Sequence, residues 1–454
     1  NCNKRSITLD LLNEQGKRIL WNMIPKADIL VEDLPPGEME RLGFPYHLVN
    51  AANPRIVYAE VIGFGSDSPY AKYPVNDAVA QAMGGATSIT GAAGGPPLKP
   101  GPTLGQTGAG LHLVSGICNK RSATLNLRDE RGKRILREMI PKADVFVENF
   151  APGAIERLGF SYEAVSSINP AIIYLQMKGF RSGSPSEKYL SFDMIAQAMG
   201  GTLSITGSPE TTPIRPGPTI GDTGAGLHAL ISIQAALLQR RRTGRGQRIE
   251  VGMQETTINY CRSAFAHHYI LGGPPPRVGN RDPLGRVVPS DVYRCKPLGP
   301  NDYCYIGCED DGQWERLATT IGREDLLSDP RFKSVEARRA NASELDQMIG
   351  EWTRQRTKQE VMQLLGEAGV PAGAVLDTME LFNDPHLRKR GMFVSIEHPI
   401  RGEMVVPGWP VKMSDSPVEI VPPPLLGQHS FEVYQEWLNL DQSQLQQLRE
   451  DGVI

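Results

Sequence analysis

The strongest constraint on this chain is that part of it is written twice. Residues from Cys2 to Ile117 align without a gap on residues from Cys118 to Ile233, and more than half of the aligned positions are identical. CNKRSITLDL faces CNKRSATLNL, IPKADILVED faces IPKADVFVEN, and AQAMGGATSITG faces AQAMGGTLSITG. A tandem duplication of this kind predicts the same local structure in both copies. The copies part where chemistry is expected: TLGQTGAGLH around Gln106 stands against TIGDTGAGLH around Asp222. Asp222 is therefore the candidate catalytic residue.

A chain of 454 residues with 40% hydrophobic and 22% charged residues is too long for a single core and predicts two or three domains. No apolar run approaches the roughly 20 residues of a membrane-spanning helix, and no charged-then-apolar leader opens the sequence, so a cytoplasmic protein with no membrane partner is expected. The net charge of −3 argues against nucleic acid as a partner. The local cluster Arg240, Arg241, Arg242, Arg245 and Arg248 brackets Gly244 and Gly246, as cations and glycine do at a helix C-terminus. Six sparse cysteines, two of them in the repeat, predict reduced thiols rather than a disulfide framework.

Within each copy, helical and strand-like segments alternate. In the second, residues 129–141 have helical spacing, Val145–Glu148 and Pro170–Met177 read as strands, and FDMIAQAMGG reads as a helix closed by Gly200 and Gly201. After the loop PIRPGPTIG, Asp222 opens a long helix to about Arg242, and residues 248–253 form a strand feeding another helix. Proline and glycine between Gly272 and Pro300 mark a linker. Residues 301–382 read as a small α/β unit, Phe393 onward as a hairpin, and the tail as a helix returning to the larger domain. The expected division is 1–117 as a degenerate copy of a large-domain segment, 118–275 as the large domain completed by 386–454, and 276–385 as linker and small domain.

Asp222, followed by Thr223, Gly224, Ala225 and Gly226, has two readings. It can cap the helix it opens, or present an ionised carboxylate in the field of the helix dipole beside glycines that let a substrate approach the backbone. A carboxylate is a weak nucleophile and a good leaving group once acylated, which suits passing an acyl group between carriers. Gln106 can do neither. GAG at 224–226 lacks the third glycine of a dinucleotide fingerprint. Cys304 and Cys308 have no partner pair for a metal, and the adjacent His267 and His268 point to different sides of a helix. No metal site is expected.

These motifs together resemble the class III CoA-transferases, of CaiB/BaiF type, which include formyl-CoA:oxalate and carnitine CoA-transferases and 2-methylacyl-CoA racemases. The resemblance runs through NKRSATLNL, ADVFVENFAPGAIERLGF, NPAIIYLQMKGF, PGPTIGDTGAGLH, RTGRGQRIEV and PPPLLGQH over residues 118–454, and recurs over 2–117. It implies an α/β fold, with a Rossmann-like large domain and a second, smaller α/β domain, preceded here by the duplicated segment. It implies Asp222 as the nucleophile and CoA or substrate contacts at Asn149, Phe150, Arg157, Arg128, Met253 and Asp193. CoA phosphates favour arginine and its adenine an aromatic or apolar neighbour. The implied reaction moves CoA from an acyl-CoA to a small free carboxylic acid, with the CoA thioester as substrate, no permanently bound cofactor and an interlocked homodimer. Where the racemases carry a histidine before the acid at 193, this chain has Phe192, which favours transfer over racemisation. A racemase-like enzyme and an inactive CoA-binding protein are the alternatives. The first copy is expected to be catalytically dead, because Gln106, Asp33 and Leu12 stand at the counterparts of Asp222, Asn149 and Arg128, and to pack as one unit on Ile24, Ala27, Leu42, Ile56, Ala82 and Met83.

Overall fold

The computed structural model describes residues 6–65, 67–92, 94–101 and 118–454. Cys2 and Gln106 lie outside the described residues. The architecture is mixed α/β, with four small sheets among the described residues.

The second copy supplies the sheet that matters. Strands β3 (Val145–Glu148), β4 (Ile173–Lys178) and β5 (Gln247–Gly252) run parallel in the order β3-β4-β5. The register places Val145 opposite Ile173, and Ile173 opposite Gln247. The centre of β4, Ile173, Tyr174 and Leu175, is buried, because the sheet is covered on both faces. On one side Tyr174 joins Ile140, Ile155, Phe160 and Val165. On the other Leu175 joins Ala225, Ala229 and Val251, bringing in the long helix Ile220–Thr243. Gly246 enters β5 where an added Cβ would stand 1.9 Å from the carbonyl oxygen of Ile172, so no side chain fits there.

The first copy repeats the opening of this design. Strands β1 (Ile29–Glu32) and β2 (Val57–Glu60) pair parallel over the cluster Ile24, Met39, Phe44, Val49 and Ile56, counterparts of the second copy's core. Asn53 donates to the carbonyls of Ile24 and Ala27, and Asn169 to those of Ile140 and Ala143. The first copy then departs from the expectation of one packing unit. Helix Asp77–Met83 buries Ala78, Val79, Ala82 and Met83 in the core of the small domain, with Trp314, Val361 and Leu365.

That small domain is an antiparallel sheet of β6 (Ser290–Arg294), β7 (Tyr303–Gly307) and β8 (Ala372–Ala374), backed by helices that include Asp311–Thr320 and Lys358–Glu367. β9 (Phe393–His398) and β10 (Gly402–Pro407) form the hairpin. The tail returns to the second copy: Asn126 N–H donates to Val453, and Tyr434 and Leu445 pack on Ile135.

Candidate active site

All three parallel strands end at one edge, the place where open α/β sheets receive ligands. The loops leaving β3 and β4, the first turns of the long helix and Met253 after β5 enclose a cavity of about 420 Å³. Its wall includes Asn149, Phe150, Lys178, Phe192, Asp222 and Met253. Four of the residues singled out in the sequence, Asn149, Phe150, Asp222 and Met253, thus meet in one space.

Asp222 is the third residue of the long helix, not its cap. The preceding Thr219 makes no side-chain capping bond. The free backbone N–H groups are met from outside the helix: Gly221 donates to Asp193 Oδ1 at 2.8 Å and Asp222 to the same oxygen at 3.3 Å. The other Asp193 oxygen accepts from Gln197 Nε2 at 2.6 Å. Asp193 is buried and stands outside the cavity lining, where it holds the first turn of the helix on which Asp222 sits. Asp222 itself is exposed and lines the cavity. Partial burial and then the Asp193 charge push its pKa above the ordinary 3.8, opposing the dipole effect read from the sequence. The glycines also serve packing. A Cβ on Gly221 would stand 3.1 Å from Asp193 Oδ1, and one on Gly224 would stand 2.6 Å from the Tyr260 ring.

The loop after β3 is held by Glu148, which the sequence reading passed over. This buried carboxylate accepts from the N–H of Phe150 at 2.9 Å and from Gln176 Nε2 at 2.9 Å, and pairs with Lys178 Nζ at 2.7 Å. Lys178 also donates to the Phe150 carbonyl at 3.2 Å. Burying an ion pair is tolerated only when the remaining lone pairs are met, and here they fix Asn149 and Phe150 at the mouth. The signal was present in the acid before Asn149 and the lysine ending β4. In the first copy, Glu60 and Ile62 stand at the positions of Gln176 and Lys178, so Glu32 faces Glu60 across the strands.

Arg157 and Arg128 are exposed and lie outside this cavity lining. Arg157 Nη1 lies 2.9 Å from where a Cβ on Gly153 would be, on the loop that carries the rim residue Pro152. Among the described residues no group of three or more His, Cys, Asp or Glu is arranged to hold a metal, and no helix is long and apolar enough to cross a membrane.

The family description "CoA-transferase family III" matches residues 1–119 and 118–430, falling separately on each copy. The chain belongs to CoA-transferase family III. Formyl-CoA:oxalate CoA-transferases from Streptomyces avermitilis and Streptomyces coelicolor are 43% and 42% identical to it over 76% of this chain and 86% of theirs. A solved CaiB/BaiF family protein from Brucella suis is 30% identical, with a TM-score of 0.63 over 71% of this chain and 82% of that one. Family III membership makes the chain an enzyme that transfers CoA from an acyl-CoA thioester to a carboxylic acid, and its mixed α/β fold is shared with the solved relative.

Proposed function

We propose that Asp222 is the nucleophile of this transfer. The observation that carries the reading is its carboxylate at the cavity, in a helix turn whose N–H groups Asp193 already satisfies. An Asp222 oxygen attacks the thioester carbonyl, the C–S bond breaks, and a mixed anhydride and CoA thiolate result. The thiolate attacks the aspartyl carbonyl, the donor leaves as a free carboxylate, and an aspartyl-CoA thioester remains. The acceptor carboxylate attacks that thioester to give a second anhydride and thiolate. Attack of the thiolate on the acceptor's acyl carbon releases the new acyl-CoA and restores Asp222. No step needs water, which suits a site that must not hydrolyse its intermediates.

On this reading Asn149, Phe150 and Met253 line the thioester end of CoA, while Arg157 and Arg128 serve the phosphates beyond the rim. The body holding the site is Rossmann-like, and the reaction runs in the cytoplasm with no permanently bound cofactor. Formyl-CoA and oxalate, the pair named for the relatives, are the first substrates to try. The homodimer implied by the resemblance would cover the exposed face of helix Asp193–Met199. Phe192 in the cavity wall has no proton to give, so α-proton exchange from deuterated water is not expected. The test is trapping: hydroxylamine or borohydride with acyl-CoA should label Asp222. An Asp222→Ala variant that retains full transfer sinks the assignment.

A further inference from the structure

One wall of the Asp222 cavity breaks a local rule. Phe192 stands at the N-cap of helix Asp193–Met199 and makes no capping bond there. Its counterpart in the duplication is Asn76, whose side-chain oxygen accepts the N–H of Val79 at 3.0 Å and caps helix Asp77–Met83. Asparagine is among the strongest capping residues, and phenylalanine has no atom with which to cap. Phe192 gives up the cap and gains little burial in return, since it is 73% exposed. A residue that breaks its local rule and serves neither helix nor core is explained by the site it belongs to, and Phe192 lines the cavity.

The same wall carries Tyr189 and Leu190, 63% and 70% exposed. Pro74 and Ala71 stand in the first copy at the counterparts of Leu190 and Glu187, so the copies part along this stretch as they do at Asp222. With Asn149, Phe150 and Met253 given to the thioester end of CoA, Tyr189, Leu190 and Phe192 form an apolar side of the cavity that still needs an occupant.

The charges of the wall favour the same occupant. Among the described residues its only cation is Lys178, and that ammonium is already matched by Glu148 at 2.7 Å and donates to the Phe150 carbonyl. Its anions are Asp222 and Glu187, and Glu187 accepts the N–H of Gly183 at 2.9 Å. A substrate with a second carboxylate meets two carboxylates and no unmatched cation. A hydrocarbon tail meets three side chains that gain by leaving water.

We propose that the acids exchanged at Asp222 are monocarboxylic acids with a hydrocarbon tail, seated on Tyr189, Leu190 and Phe192, and that Glu187 turns dicarboxylic acids away. This substrate class rests on the reading of Asp222 as the nucleophile. Formate has no tail to bury and oxalate carries the second charge, so the pair named for the relatives is the control.

The experiment measures kcat/KM for acceptor acids with acetyl-CoA as donor, taking linear acids from propionate to hexanoate against formate and oxalate. Each added methylene should raise kcat/KM by up to about fourfold, and formate and oxalate should fall below propionate. Phe192→Asn restores the cap, so it should raise the melting temperature while flattening the chain-length series. Glu187→Gln keeps an acceptor for Gly183 and removes the charge, so it should raise oxalate relative to propionate and leave the slope of the series unchanged. The proposal is overturned if formate or oxalate is preferred to hexanoate, or if Phe192→Asn leaves the slope as it was. Asp222→Asn separates the two readings. If it transfers CoA as fast as the unaltered chain, the nucleophile is wrongly assigned whatever the order of acids. If it is inert and the unaltered chain shows no preference for longer tails, the substrate class alone is wrong.

Discussion

Asp193 accepts the N–H of Gly221 at 2.8 Å, so the residue that caps the long helix is not the residue that faces the cavity. The two jobs fall to two carboxylates, and each can be altered alone.

Removing the proposed nucleophile should cost chemistry and little stability. Asp222→Asn should lower transfer by about 10⁴-fold or more, as loss of a covalent nucleophile does, while the melting temperature moves by no more than a degree or two. A large drop in melting temperature would mean that Asp222 supports the helix after all.

Altering the cap should do the reverse. Asp193→Ala strands the N–H groups of Gly221 and Asp222, and should destabilise by about 2 kcal/mol in denaturant. Asp193→Asn keeps an acceptor and removes the charge that raises the Asp222 pKa. In the proposed reaction Asp222 attacks as a carboxylate, so activity is expected to rise with pH through its folded pKa. The acid limb of the wild-type profile should therefore lie above 3.8, and Asp193→Asn should move it down. An unmoved limb would assign that limb to another group.

The ion pair beneath the rim should be felt in both stability and binding. Glu148→Ala leaves Lys178 buried without its partner and takes the acceptor from Phe150 N–H. We expect a loss of about 3–5 kcal/mol and a raised KM for acyl-CoA. Lys178→Met in the Glu148→Ala background should recover part of the stability and none of the KM.

In the first copy, Glu60 sits directly opposite Glu32, and burial followed by the Glu32 charge raises its pKa. A carboxyl raised on folding costs stability as pH rises through its folded pKa and costs nothing below the unfolded value. Glu60→Gln should thus stabilise at neutral pH by a fraction of a kcal/mol, with no gain in acid. Equal gains at both pH values would rule out charge repulsion as the cause.

Much of this was readable in advance. Asp222 stood out in the sequence itself, and Asn149, Phe150 and Met253 were implied by the family resemblance; the topology of parallel strands brings these positions together at one edge. The role of Asp193 was hidden because capping by a carboxylate from another helix leaves no local spacing to recognise. Arg128 and Arg157 are cations on a surface, where residue type says little about which cavity they serve. The split of the first copy was beyond pattern reading altogether. The helices at 77–83 and 193–199 share one apolar periodicity, and periodicity shows which face is to be covered without naming the body that covers it.

That split gives one repeat two hosts. Residues 29–60 rest on their own small cluster, while residues 77–83 are part of another domain's interior. The two halves should open as separate cooperative units, the first exchanging its amide protons early and the second only when the small domain itself opens. Selection can then act on them apart: damage near β1 is a local matter, whereas damage at Val79 is a wound to the domain that adopted it.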